Sequence, residues 1–173
     1  MAITKIQSES LNLSDNYDFT GTVTGAGSTP DKFFQAYHDT GQSMSNSTET
    51  KLNYATEILD TDSVYDTSTS RYTPAETGKY IIGATVRISG SSVSTADARL
   101  IIKKNGTGGG VAVGQQTYSS AYYPLISAIG LVDVTSTSDY FEVYHFQKTG
   151  AASTYGVDAS VFAFGVFYGY KIL

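Results

Sequence analysis

The chain has no cysteine and no tryptophan, and only three prolines and two histidines in 173 residues. Without thiols there is no disulfide framework, no thiolate metal site and no cysteine nucleophile. Charge is also scarce: 16% of residues carry one, against about 25% in an average soluble chain. Eleven basic and sixteen acidic side chains leave a net charge of −5. That sign does not suit a protein that tracks a phosphate backbone, so no nucleic-acid partner is expected. Leu (8) and Glu (5) are few, which leaves little material for amphipathic helices. The longest apolar run, residues 161–168, is interrupted by Gly165 and is too short to span a bilayer as a helix, so no membrane insertion is expected. The opening Met1-Ala2-Ile3-Thr4-Lys5-Ile6-Gln7 lacks the apolar stretch of a secretory signal. The chain is therefore expected to be soluble and to begin in a cytoplasm.

What is abundant points one way. Ser (21) and Thr (22) make up 43 of the 173 residues, beside 17 Gly, 14 Tyr, 8 Phe, 12 Val and 11 Ile. Branched and aromatic side chains fit a pleated, half-buried surface. Forty per cent apolar residues are enough for a packed core.

The chain divides near residue 30. Over residues 11–23 the odd positions are Leu11, Leu13, Asp15, Tyr17, Phe19, Gly21 and Val23, and the even positions are polar. This alternation predicts an extended strand with one apolar face. At 3.3 Å per residue it would reach roughly 43 Å, long for a strand inside a small domain. Thr24-Gly25-Ala26-Gly27-Ser28-Thr29-Pro30 then reads as a hinge. Residues 1–29 are thus expected to be an arm whose Leu11, Leu13, Tyr17, Phe19 and Val23 anchor it elsewhere, with the head at 30–173. An ordinary first strand of the head is the alternative.

Beyond the hinge, turn signals separate short strand patterns at 32–38, 50–59, 63–72, 79–89, 99–104, 111–118, 125–134, 140–146 and 156–172. Such spacing predicts an all-β antiparallel sandwich or barrel. In the last segment Phe162, Phe164, Val166, Tyr168 and Tyr170 share one face, and Val161, Ala163, Gly165, Phe167 and Gly169 the other. Both faces are apolar, so a second chain is expected to cover one of them, a roof made by the chain's own loops being the alternative. Phe162, Phe164, Phe167, Tyr168 and Tyr170 are the candidate subunit contacts.

Candidate chemistry is sparse. Asp60, Asp62 and Asp66 cluster with Thr61 and Ser63 and could offer oxygens to calcium, but no EF-type loop is present. A structural turn is the preferred reading, and no metal or cofactor is expected. His38 and His145 lack a Gly-x-Ser-x-Gly elbow that would bring a serine nucleophile to them. No enzyme is expected, and His145, between Tyr144 and Phe146, reads as a strand or interface residue. Lys103-Lys104-Asn105-Gly106-Thr107-Gly108-Gly109-Gly110 lacks the order of a phosphate loop and reads as a hairpin loop. Tyr118, Tyr122 and Tyr123 flank Pro124 and form a candidate ligand loop, since exposed tyrosines suit glycan or protein recognition; packing under the top of the sandwich is the equal alternative.

Tyr54, Asp60, Tyr65, Tyr72, Gly78 and Tyr80 fall at the spacing of the signature of the complement C-one-q globular head. Arg71-Tyr72-Thr73-Pro74 with Thr77-Gly78-Lys79-Tyr80, the strand ending Lys104-Asn105-Gly106, and Ser160-Val161-Phe162-Ala163-Phe164-Gly165-Val166 resemble further blocks of that family. The resemblance runs through residues 32–173. It implies a jelly roll that assembles as a tight homotrimer, as in the tumour necrosis factor superfamily. The arm, Ala2-Ile3-Thr4-Lys5-Ile6-Gln7-Ser8-Glu9-Ser10-Leu11-Asn12-Leu13 followed by Phe19-Thr20-Gly21-Thr22-Val23, resembles the start of fibre and capsid-surface proteins of tailed bacteriophages. That likeness implies a virion structural protein assembled in a bacterial cytoplasm: a capsid decoration (cement) protein or short head fibre, bound to a capsid or tail protein. The head could also bind a host-surface glycan or protein; the alternatives are a tail-fibre receptor-binding head, or a stand-alone C-one-q-like module that binds a ligand or glycan.

Overall fold

Alternation along the strands sets the architecture. In β7 (Gly78–Arg87) the side chains of Tyr80, Ile82, Ala84 and Val86 are buried, while Lys79 is exposed and Ile81, Thr85 and Arg87 are half-buried. β10 (Leu125–Val134) repeats the pattern: Ile126, Ala128, Val132 and Val134 are buried and Leu125, Ser127, Ile129, Leu131 and Asp133 exposed. These two strands pair antiparallel over their full length, from Leu125 opposite Arg87 to Val134 opposite Gly78.

The computed structural model describes residues 32–88, 96–118, 125–148, 153–155 and 165–172. The arm and its five anchoring candidates, Leu11, Leu13, Tyr17, Phe19 and Val23, lie outside these residues. The remaining strands are β1 (Phe33–Tyr37), β2 (Gln42–Met44), β3 (Thr50–Lys51), β4 (Thr56–Asp60), β5 (Tyr65–Asp66), β6 (Arg71–Tyr72), β8 (Ala96–Lys104), β9 (Ala112–Tyr118), β11 (Phe141–Lys148), β12 (Ser153–Tyr155) and β13 (Val166–Lys171). One sheet has the order β10-β7-β13-β1-β4, and the other runs β5-β6-β11-β8-β9 with β3 also on β11. β2 and β12 form a separate pair. Among the described residues all pairings are antiparallel.

The core lies between the two larger sheets. At its centre the Phe34 ring stacks on Tyr72 with centroids 4.0 Å apart, and on Tyr65 at 5.1 Å, and meets Phe167 edge-on at 4.9 Å. Each such pair contributes about 1 kcal/mol beyond its burial. On one flank β9 approaches β10 so closely that a Cβ on Gly114 would collide with the Ser127 carbonyl oxygen.

Two of the expected strands are subdivided. The segment 50–59 leaves the ladder after Lys51: Leu52 N–H donates to Val143 O at 2.9 Å and Tyr54 N–H to Ser70 Oγ at 2.9 Å. The segment 63–72 is two short strands around a tight turn, in which the Asp66 carboxylate accepts the Ser68 and Thr69 hydroxyls at 2.6 and 2.7 Å.

Candidate functional site

The spaced residues that carried the family resemblance are structural. Asp60 accepts the Tyr65 N–H at 2.7 Å and the Asp62 N–H at 3.2 Å, which closes the turn after β4. Tyr65 donates its hydroxyl proton to Tyr54 O at 2.7 Å, Tyr54 to Thr85 O at 2.9 Å, and Tyr80 to Glu76 O at 2.9 Å. Burial pushes the Tyr65 and Tyr72 hydroxyls far above the usual phenol range. Asp62 pairs with Lys32 at 2.8 Å. The side-chain hydroxyls of Ser68 and Thr69 hold the Asp66 carboxyl down to about 2. The three aspartates are thus occupied by turns and an ion pair, and among the described residues no group of three or more metal-ligating side chains converges.

The histidines are buried. His145 is fully enclosed on the inner face of β11, and neither ring nitrogen has a hydrogen-bond partner among the described residues. Desolvation pulls it down to about 4, so it is neutral at pH 7. Of the two expectations for His145, the buried strand residue is what the structure has, and the interface residue is corrected: its side chain belongs to the core. His38 packs its ring against Gly165. Burial lowers it to about 4, against a smaller upward push from the Asp39 charge.

The outer face of the β10-β7-β13-β1-β4 sheet is the surface that stands out. Paired residues of antiparallel strands share a face, so the registers give its rows directly. One row runs Phe33, Tyr170, Ile81, Leu131 across four strands. The next runs Leu59, Gln35, Tyr168, Gly83, Ile129 across five. Ile129 and Leu131 are 63% and 65% exposed. Of the large exposed hydrophobic side chains among the described residues, Phe33, Ile58, Leu59, Leu125, Ile129, Leu131 and Tyr170 all stand on this sheet, and Val111 and Val113 are elsewhere. Tyr168 reaches across Gly83, where a Cβ would run into the ring. That close approach gives the middle of the face an aromatic floor. Polar groups border it: Lys79 pairs with Asp133 at 3.2 Å at one end, and Thr85 and Ser127 lie opposite each other towards the other.

The expected subunit-contact residues separate on this geometry. Tyr168 and Tyr170 lie on the outer face, and Tyr170 is exposed. Phe167 is corrected: it is wholly buried against Phe34, Tyr54 and Tyr65, so its ring has no surface left to offer another chain. Phe162 and Phe164 lie outside the described residues. Tyr118 ends β9, and Tyr122 and Tyr123 lie outside the described residues. Sequence reading singled out β13 but missed β10, whose Leu125, Ile129 and Leu131 carry the most exposed part of the face. The signal was there in the alternation of Leu125, Ser127, Ile129, Leu131 and Asp133, which places apolar residues on both faces of one strand.

The opposite face of the sandwich is chemically different. Glu142, on β11, accepts Lys51 Nζ at 2.6 Å, Arg71 Nη2 at 2.9 Å and the Tyr144 hydroxyl at 3.0 Å. Desolvation pushes the Glu142 carboxyl up, and these three donors outweigh it, leaving it below the usual range. Burial, followed by the bond to Glu142, raises the Tyr144 hydroxyl to about 12. The Arg71 guanidinium sits 3.8 Å over the Tyr140 ring, and Lys103 pairs with Glu49. Glu142, Lys51 and Arg71, and likewise Lys103 and Glu49, pair their charges with one another on this face.

The chain has the all-β jelly-roll fold of the complement C-one-q and tumour necrosis factor domains. Similar solved structures include the globular domain of the zebrafish complement 1qA protein, 12% identical with a TM-score of 0.58 over 83% of this chain and 98% of that one. Murine APRIL is similar at 10% identity, with a TM-score of 0.59 over 82% of this chain and 98% of its own. The Eiger tumour necrosis factor of S. frugiperda is similar at 12% identity, with a TM-score of 0.56 over 84% and 94%. No protein-family model matches the chain, and no curated protein matches its sequence.

Proposed function

We propose that this chain is a homotrimeric virion surface protein of a tailed bacteriophage, a capsid decoration protein or short head fibre. In this reading the head self-associates and the arm anchors. The observation that carries the first half is the apolar outer face of the five-stranded sheet, with an aliphatic and aromatic centre and a polar border. This is the anatomy of a subunit contact. Covering a side chain as exposed as Ile129 or Leu131 contributes roughly 1–2 kcal/mol, and a closed ring of three would cover three copies of each. The trimer rests also on the sequence resemblance to the C-one-q head.

The virion assignment rests on the arm. Leu11, Leu13, Tyr17, Phe19 and Val23 alternate with polar residues, and an extended segment of this kind can add a strand to the sheet edge of a capsid or tail protein. Three arms on one trimer act multivalently, so individually weak arms hold firmly. The test is a head that begins at Thr29. It should remain a soluble trimer and fail to incorporate into particles during assembly in the bacterial host. Full decoration of particles by the truncated head would remove the anchoring role from the arm. A truncated head that does not fold would make residues 11–23 part of the sandwich.

A further inference from the structure

The loop between β8 and β9 opens with Asn105-Gly106, and the structure holds this pair in an unusual way. Both residues have positive φ, 55° and 66°, and Thr107 N–H reaches Lys104 O at 3.3 Å, as in the tight turns that Asn-Gly favours. The turn is clasped by a second loop, between β10 and β11. Asn105 N–H donates to Tyr140 O at 2.8 Å, Asn105 Nδ2 donates to Asp139 Oδ1 at 3.0 Å, and Asn105 Oδ1 accepts the Tyr140 N–H at 2.9 Å. Asp139 is itself fixed: its Oδ2 takes Lys104 Nζ at 2.8 Å, Thr135 N–H at 2.9 Å and Ser136 N–H at 3.0 Å.

We propose that Asn105-Gly106 is a latent self-modification site, a succinimide-forming pair that the Asp139 clasp keeps closed in the folded head. The chemistry needs no cofactor. The Gly106 main-chain nitrogen attacks Asn105 Cγ; the new N–Cγ bond replaces Cγ–Nδ2, and ammonia leaves with the Gly106 amide proton. Water then adds to either imide carbonyl and opens the ring to aspartate or to isoaspartate. The flanking glycine is what permits the approach, since it has no side chain to shield its nitrogen. Closure of the ring requires rotation about the Asn105 main chain and side chain. Three hydrogen bonds to Asp139 and Tyr140 oppose both rotations. Cyclisation is therefore restricted to molecules in which the two loops have parted.

The product cannot restore the clasp. Asn105 Nδ2, the donor to Asp139, is gone, and a new carboxylate stands where that donor was, facing the Asp139 carboxylate. Like charges at hydrogen-bond distance repel. The isoaspartate form also adds a carbon to the main chain of the turn. Modification is thus a one-way release of the β8–β9 loop from the β10–β11 loop.

The test is peptide mapping of the full chain after incubation in mild alkali, following the mass gain and the isoaspartate signal at Asn105. The folded chain should modify Asn105 at least about tenfold more slowly than the same chain unfolded in urea, as expected for a reaction gated by local opening. Asp139→Ala should remove most of that protection while the melting transition stays cooperative, and Asn105→Asp should raise amide exchange in residues 104–107 and 135–140. Equal rates in folded and unfolded wild-type chain would overturn the proposal, and this comparison needs no variant to fold. Unchanged protection in a folded Asp139→Ala would overturn the role of the clasp.

Discussion

At the scale of single residues, the two imidazoles make the head acid-sensitive. In the unfolded chain each titrates near 6.5, and in the fold each is held down to about 4 by burial. Below 6.5 the unfolded chain binds more protons than the folded one. The stability is therefore fully present above 6.5 and is lost as pH falls through the window to about 4, by up to roughly 3 kcal/mol for each imidazole. Urea midpoints measured on either side of that window should fall with pH. His145→Leu should remove a large part of the slope, since its ring has no hydrogen bond among the described residues to lose and leucine keeps the site apolar. An identical slope in the variant would show that His145 is not the group responsible. Phe167 shows why faces are hard to assign from one strand. Residues 166–170 are apolar on both sides in the sequence, and alternation cannot say which side is core. The neighbours decide: Phe167 is opposite Ala36 and Ala84, two small buried residues, and Tyr168 is opposite Gln35 and Gly83.

At the scale of elements, the two sheets come close at one pair of edges. Gly114 on β9 leaves no room for a Cβ beside the Ser127 carbonyl on β10. Gly114→Ala should therefore force the two edges apart and destabilise the head by about 1–3 kcal/mol, read as a lowered urea midpoint. An unchanged midpoint would mean that this flank of the sandwich yields freely. Much of the element order was legible beforehand. Strands such as β7 and β10 alternate over ten residues, and β8 runs into the Asn105-Gly106 turn. The short elements were not legible. β2 (Gln-Ser-Met) and β12 (Ser-Thr-Tyr) have three residues each, too few for a period to show. The break between β3 and β4 depends on Tyr54 N–H finding Ser70 Oγ, sixteen residues away, and no local pattern encodes that partner. The spacing from Tyr54 to Tyr80 was visible, and its physical content is a set of buried hydroxyls capping main-chain carbonyls.

At the scale of the whole molecule, the two outer faces have different destinies. The first face carries the ion pairs of Glu142 with Lys51 and Arg71, whereas the Ile129 and Leu131 face leaves apolar surface in water. Substitutions separate folding from assembly here, because Ile129 and Leu131 point away from the chain's own core. An aspartate at either position costs the monomer little, about 1 kcal/mol of strand propensity at most. Buried unpartnered in a subunit contact, the same carboxylate costs several kcal/mol. The most direct measurement is therefore the solution mass of the chain by light scattering, beside that of the double variant Ile129→Asp with Leu131→Asp. Self-association over this face predicts three times 18.5 kDa, or 55.5 kDa, for the wild-type chain and a folded 18.5 kDa monomer for the variant. A wild-type mass of 18.5 kDa, or a double variant that stays at 55.5 kDa, would contradict it.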